Sequence, residues 1–229
     1  MAEESPGEQV GAALLAGARR TLPLALGVGL YSTVFGALAA TKGLSLAELV
    51  LMSVAVFSGT AQIVALDLWR ADPPVFEIAL AVLLVNARYV LICATVGAIL
   101  APWGLGRRLA AAHLIADENW AVTMAARVCG HAGPAFLVGG GIACFVFFVG
   151  GGALGHLLGA RLPAPERFGL DFAFTAAFIA LALGLRRGRM DMAPWLAAGA
   201  AALAGAWLLP GSWYILTGCL AGMAAAAYE

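Results

Sequence analysis

The sequence predicts an all-α, polytopic helical membrane protein with about 7–8 transmembrane segments, some of them broken or re-entrant. Three observations predict it. Of the 229 residues, 62% are hydrophobic and 11% charged, where a soluble domain carries about one-quarter charged residues. Mean hydropathy is +0.93, and several separated apolar runs reach the roughly 20 residues that one bilayer crossing requires. Two of those runs are interrupted midway, by Phe57-Ser58-Gly59-Thr60-Ala61-Gln62 and by Asn86-Ala87-Arg88-Tyr89. The formal net charge of zero removes any electrostatic case for nucleic acid or an acidic partner.

Taken in order, the chain opens on the acidic Met1-Ala2-Glu3-Glu4, unlike the basic start of a secretory signal, so no cleaved signal is expected. Residues 1–20 read as a tail with a short interfacial helix, Val10 to Arg20, and residues 21–229 as a single transmembrane helical transport domain. The first span is Leu22 to Ala40, with Pro23 in its first turn and Gly27, Gly29 and Gly36 thinning one side for another backbone. Ser45 and Glu48 form a capping box for the second run, Leu46 to Leu66, which ends near Asp67 and Trp69. After Asp72-Pro73-Pro74, the run Val75 to Leu100 is too long for one untilted helix and has Asn86 and Arg88 at its centre. It is expected to be kinked or broken. A loop over Trp103 to Arg108 precedes Leu109 to Val128, the least hydrophobic segment, expected as one helix with His113, Asp117 and Trp120 on a shared face. It either lies in the interface or, as is favoured, spans with that face turned to protein and water.

Farther on, Gly151, Gly155 and Gly159 recur every fourth residue in the run Gly133 to Ala160, as a close-packing stripe does. A loop with Pro163 and Pro165 leads to Phe168–Leu185, with Asp171 one turn in. The Arg186–Arg189 cluster that follows should be cytoplasmic by the positive-inside rule. The N-terminus is expected on the same side, although a bias of about seven basic groups against five does not by itself fix the topology. Spans at Met192–Leu209 and Trp213–Tyr228 complete the chain. Cys93, Cys129, Cys144 and Cys219 have neither C-x-x-C nor histidine spacing, so they read as small buried residues, with no metal or disulfide expected.

A charged group at membrane depth costs about 2.5–3.5 kcal/mol on insertion scales, so such groups mark function by default. Gly59, flanked by hydroxyl residues, lets a helix unwind and offer backbone N–H groups, at a half-helix N-terminus, to a carboxylate. The plainer alternative is a small-residue helix contact. Arg88 cannot be neutralised, so it must clamp a carboxylate, pair with Asp117 or Glu118, or snorkel to one face. Asp117 and Glu118 suit a substrate ammonium or a coupling proton, against the alternative of a merely wet helix face. His113 reads as a proton relay to Asp117 or as an ordinary i, i+4 neighbour. Asp171, and more weakly Glu77, read as first-turn acids or as further site groups. Ser58 lacks the leading glycine of a rhomboid-like serine site, and neither H-E-x-x-H nor a Walker A motif occurs. No enzyme, catalytic residue or cofactor is expected.

In sequence order, Pro23, Phe35-Gly36, Met52-Ser53, Phe57–Gln62, Asn86–Tyr89, Asp117-Glu118 and Leu170-Asp171-Phe172 resemble the AzlC family of branched-chain amino acid exporters. The likeness runs from Ala18 to Leu185, and the last two spans match only in hydropathy. It implies a bacterial inner-membrane carrier that exports leucine, isoleucine and valine, with methionine a further candidate. It also implies a proton-driven cycle and a small membrane partner of the AzlD type. Arg88-Tyr89 stands where the family often has Arg-His, a departure that bears on proton coupling. The expected substrate-binding set is Ser58, Gly59, Thr60, Gln62, Asn86 and Arg88. Within it, amides near Gly59 and Thr60 join Arg88 on the carboxylate, Asp117 or Glu118 meets the ammonium or a proton, and Phe57, Ile63 and Val85 wall an apolar pocket. Two other readings stand beside it. One is a non-transporting membrane subunit whose polar mid-span residues bind a partner helix, and the other a carrier for another small amphipathic metabolite. A channel would need more polar positions in the last four segments.

Overall fold

Two long apolar helices packed side by side frame the molecule, and three broken segments are set against them. The computed structural model describes residues 6–69, 73–128, 130, 132–159, 192–209 and 213–227. The helices are α1 (Pro6–Thr41), α2 (Leu46–Ala55), α3 (Gly59–Asp67), α4 (Val75–Asn86), α5 (Arg88–Leu100), α6 (Leu105–His113), α7 (Asp117–Val128), α8 (Pro134–Gly159), α9 (Met192–Leu208) and α10 (Trp213–Ala227). No strand occurs among the described residues. The expected span Phe168–Leu185, with Asp171, and the Arg186–Arg189 cluster lie outside them.

The interfacial helix and the first span are not separate. Both belong to α1, whose 36 residues would measure about 54 Å. Pro23 sits inside that helix rather than in its first turn, so the Arg19 carbonyl lacks its usual donor. Packing holds the helix together across this point. Gly17 lies against the Phe136 backbone before the proline, and Gly29 against Gly151 after it.

The expected glycine stripe of α8 is the seam. Gly151, Gly155 and Gly159 face Gly29, Thr33 and Ala37 of α1 in the same order, so the two helices run parallel. A Cβ at Gly155 would collide with the Thr33 carbonyl, and one at Gly36 with that of Gly152. Ser32 Oγ donates to the Phe148 carbonyl at 2.6 Å, and His156 Nε2 to that of Leu44 at 2.7 Å. Two parallel spans require an odd number of crossings between them. The segments α2–α3, α4–α5 and α6–α7 meet this as three crossings, or as one if two of them are re-entrant.

Among the described residues, Gln9–Thr41 and Pro134–Gly159 are long and apolar enough to span a bilayer. The pair α4 and α5, bent by 43° at Ala87, makes a third. That is the break expected in the third run. Outward-facing side chains are apolar, with Leu30, Val90, Leu91 and Trp207 all at least 71% exposed, as suits a lipid surround rather than water. Of the described cysteines Cys144 is buried, whereas Cys93 is exposed and so is not the small core residue expected.

The second run is also broken, at Val56-Phe57-Ser58 between α2 and α3. The buried Gln62 repairs the break. Its Nε2 donates to the Met52 carbonyl at 3.0 Å and to the Val56 carbonyl at 2.7 Å. The fourth run contains a break that its sequence did not announce, at Leu114-Ile115-Ala116 between α6 and α7. Here Asn119 does the same work. Its Oδ1 accepts from the Ala116 N–H at 2.7 Å, and its Nδ2 donates to the carbonyls of Leu114 and Leu137, each at 3.1 Å.

Two predictions follow from this packing. Gly155→Leu should force α1 and α8 apart and cost about 3 kcal/mol, while Gly97→Ala, with nothing near its Cβ position, should be neutral or gain up to about 1 kcal/mol. Thermal unfolding in detergent compares them, and equal effects would show that the seam is not tight. Gln62→Leu should cost about 1–3 kcal/mol by stranding two carbonyls, measured by the same unfolding.

Candidate functional site

The three breaks aim three helix N-termini at one cavity of about 390 Å³. Gly59 and Thr60 begin α3, Arg88 and Tyr89 begin α5, and Asp117 and Glu118 begin α7; all six line it. Each N-terminus presents backbone N–H groups and a partial positive charge. Ser58, at the α3 N-cap, makes no side-chain cap bond, which leaves those amides to the cavity. Its hydroxyl instead donates to Asn86 Oδ1 at 2.7 Å. A second link between the same two interruptions lies one step along, where Arg88 Nη2 donates to Thr60 Oγ1 at 2.9 Å.

The same Arg88 nitrogen meets Asp117 Oδ2 at 3.1 Å, with side-chain exposures of 35% for Arg88 and 18% for Asp117. The guanidinium lies 5.4 Å from the Tyr89 ring centroid. Its Nε is buried without a partner among the described residues. Among the described residues that line the cavity, Arg88 is the cation, and Asp117 and Glu118 are the acids.

The remaining walls are apolar or aromatic. Phe57 packs edge-on against Phe145 and Phe148, with ring centroids 5.3 and 5.4 Å away. From α1 come Pro23, Leu24, Val28 and Tyr31. A Cβ at Gly59 would sit 2.6 Å from the Tyr31 ring, so only glycine lets that ring close over the start of α3.

Of the residues expected at the site, Phe57, Gly59, Thr60, Arg88, Asp117 and Glu118 line the cavity. Ser58 and Asn86 stand one layer behind, bonded to each other. Gln62, Ile63 and Val85 are not among the lining residues. Gln62 spends its amide on the α2 carbonyls, and Ile63 packs against the Phe35–Leu49 cluster. His113 ends α6 while Asp117 begins α7, so the shared helix face expected for them does not exist. The His113 ring is exposed and lies 6.2 Å from Phe145. Asp171 falls outside the described residues. Sequence reasoning missed Tyr31, Phe148 and the α1 wall. The available signal was a polar-tipped tyrosine inside an apolar span.

A cavity of this size, with apolar walls and a few convergent polar groups, has the ordinary form of a small-molecule site. Its cation and open amides suit a carboxylate, and its acids suit an ammonium.

No curated protein and no solved structure is significantly similar to the chain. The model of the AzlC protein family matches residues 23–162. That match covers more than half of the chain and every described residue of the cavity, so the chain belongs to the AzlC family of transport-related membrane proteins.

Proposed function

We propose that the protein is a secondary transporter in the bacterial inner membrane. It exports the branched-chain amino acids leucine, isoleucine and valine, with methionine a further substrate. The observation that carries this reading is the convergence of Arg88 and three helix N-termini on a cavity otherwise walled by aliphatic and aromatic groups. An α-amino acid with an aliphatic side chain needs those features together: a carboxylate clamp, an acid for the ammonium, and an apolar pocket. Family membership supports the same substrate class.

In this reading Arg88, Thr60 and the first amides of α3 hold the carboxylate. Asp117 or Glu118 takes the ammonium or carries the coupling proton. Phe57, Tyr31 and Phe148 enclose the side chain. The proton gradient drives export, and a small membrane subunit of the AzlD type completes the exporter.

The test is efflux of labelled leucine and valine from preloaded cells, with the chain expressed alone and beside its small partner. Efflux above the empty-vector level that collapses with a protonophore is expected. Its absence in both configurations, with the protein in the membrane, would move the substrate elsewhere. Arg88→Ala should weaken leucine binding about 30-fold or more, the consequence of about 2 kcal/mol for a truncated charge contact. Unchanged transport by that variant would remove Arg88 as the clamp.

A further inference from the structure

We infer that Asp117 is an internal stand-in for the substrate's carboxylate, and that substrate enters by exchanging places with it on Arg88. The inference rests on the amino acid reading of the cavity and deepens it. It names the step that separates a zwitterion from a plain carboxylic acid.

The geometry has three parts. Asp117 Oδ2 lies 3.1 Å from Arg88 Nη2, the nitrogen that also reaches Thr60 Oγ1 at 2.9 Å. The neighbouring Nε is buried and has no partner among the described residues. Nε and Nη2 share one edge of the guanidinium, along which a carboxylate makes two parallel hydrogen bonds. Asp117 reaches Nη2, which it shares with Thr60 Oγ1, and makes no bond to Nε. A carboxylate free to position itself gains both.

Charge pairing makes the exchange selective. Among the described residues lining the cavity, Arg88 is paired with Asp117, and Glu118 is the second acid. When a zwitterion enters, its carboxylate takes Arg88 and its ammonium stands beside the released Asp117. Every charge that loses a partner regains one. A carboxylate without an ammonium displaces Asp117 into a cavity whose described lining holds no second cation, and a buried charge without a counter-charge is expensive. The site thus rejects the deaminated acid of the same carbon skeleton, although that acid fits the clamp and the pocket.

The experiment measures binding of leucine and of 4-methylpentanoate, its deaminated counterpart, to the purified protein and to Asp117→Asn. The wild type is expected to bind leucine and to bind 4-methylpentanoate poorly. In Asp117→Asn the competitor is gone, so 4-methylpentanoate should bind about tenfold tighter than to wild type, while leucine, without its ammonium partner, binds more weakly. Weakening of both ligands would overturn the exchange, because Asp117 would then only hold Arg88 in place. Thermal unfolding of Asp117→Ala gives a readout that survives a loss of stability. There 4-methylpentanoate should raise the melting temperature more than it does for wild type, by refilling the place of the missing carboxylate. An equal or smaller rise overturns the exchange. Wild-type protein that binds no branched aliphatic amino acid overturns the amino acid reading itself, and the exchange falls with it.

Discussion

A backbone group cut loose by a helix break has no water to turn to in a lipid surround, and each unsatisfied group there costs several kcal/mol. This constraint governs the chain between Leu46 and Val128, where two apolar runs and a more polar one are broken. Gln62 returns donors to two carbonyls at the end of α2. Asn119 closes the turn before α7 and reaches across to Leu137 on α8. Ser58 and Asn86 join the first two breaks directly. The breaks are consequently fixed features, and three helix N-termini stay aimed at one volume. A site held in place before its ligand arrives loses less freedom on binding.

The seam between α1 and α8 supplies what the breaks lack. Glycine, threonine and alanine along it let two backbones meet almost in contact, the form helix association takes where no hydrophobic drive separates protein from lipid. Both helices also reach the cavity. Tyr31 and Phe148 stand against Gly59, and Pro23, whose ring removes a hydrogen bond from the middle of α1, forms part of the wall. A rigid frame thus ends in the aromatic groups that shape the pocket. Enlarging Gly59 would disturb frame and site together.

Legibility in the sequence followed chemistry. The breaks at residues 56–58 and at residue 87 announced themselves, because small and polar residues replace aliphatic ones at mid-span. The pairing of Ser58 with Asn86 and of Thr60 with Arg88 follows from setting those two stretches face to face. The break at Leu114-Ile115-Ala116 did not show, since no glycine or proline marks it. Its cause is Asn119, whose side chain caps Ala116 from three residues ahead. Placing His113 and Asp117 on one helix went wrong for that reason. Pro23 misled in the opposite direction, because a first-turn proline and an interior one look alike until the neighbouring helix is known. Gln62 was open to either role, since a buried amide serves a ligand or a broken backbone equally well. The α1 wall was illegible because Leu24 and Val28 resemble any lipid-facing residues.

On the proposed transporter reading, the ion pair in the cavity bears on a carrier that must also move when unloaded. A lone guanidinium in a low-dielectric cavity would make the empty state costly and would bind any anion that reached it. With Asp117 on one nitrogen and Thr60 beside it, Arg88 is compensated without being fully engaged, since its buried Nε makes no hydrogen bond among the described residues. Such a site is stable enough to exist unloaded and unsatisfied enough to accept a better partner. In the proposed exchange, release follows from the same balance, because a returning Asp117 competes for the guanidinium that the substrate holds. A tighter internal pair would seal the site, and a missing one would trap the substrate. One oxygen on one nitrogen lies between those limits.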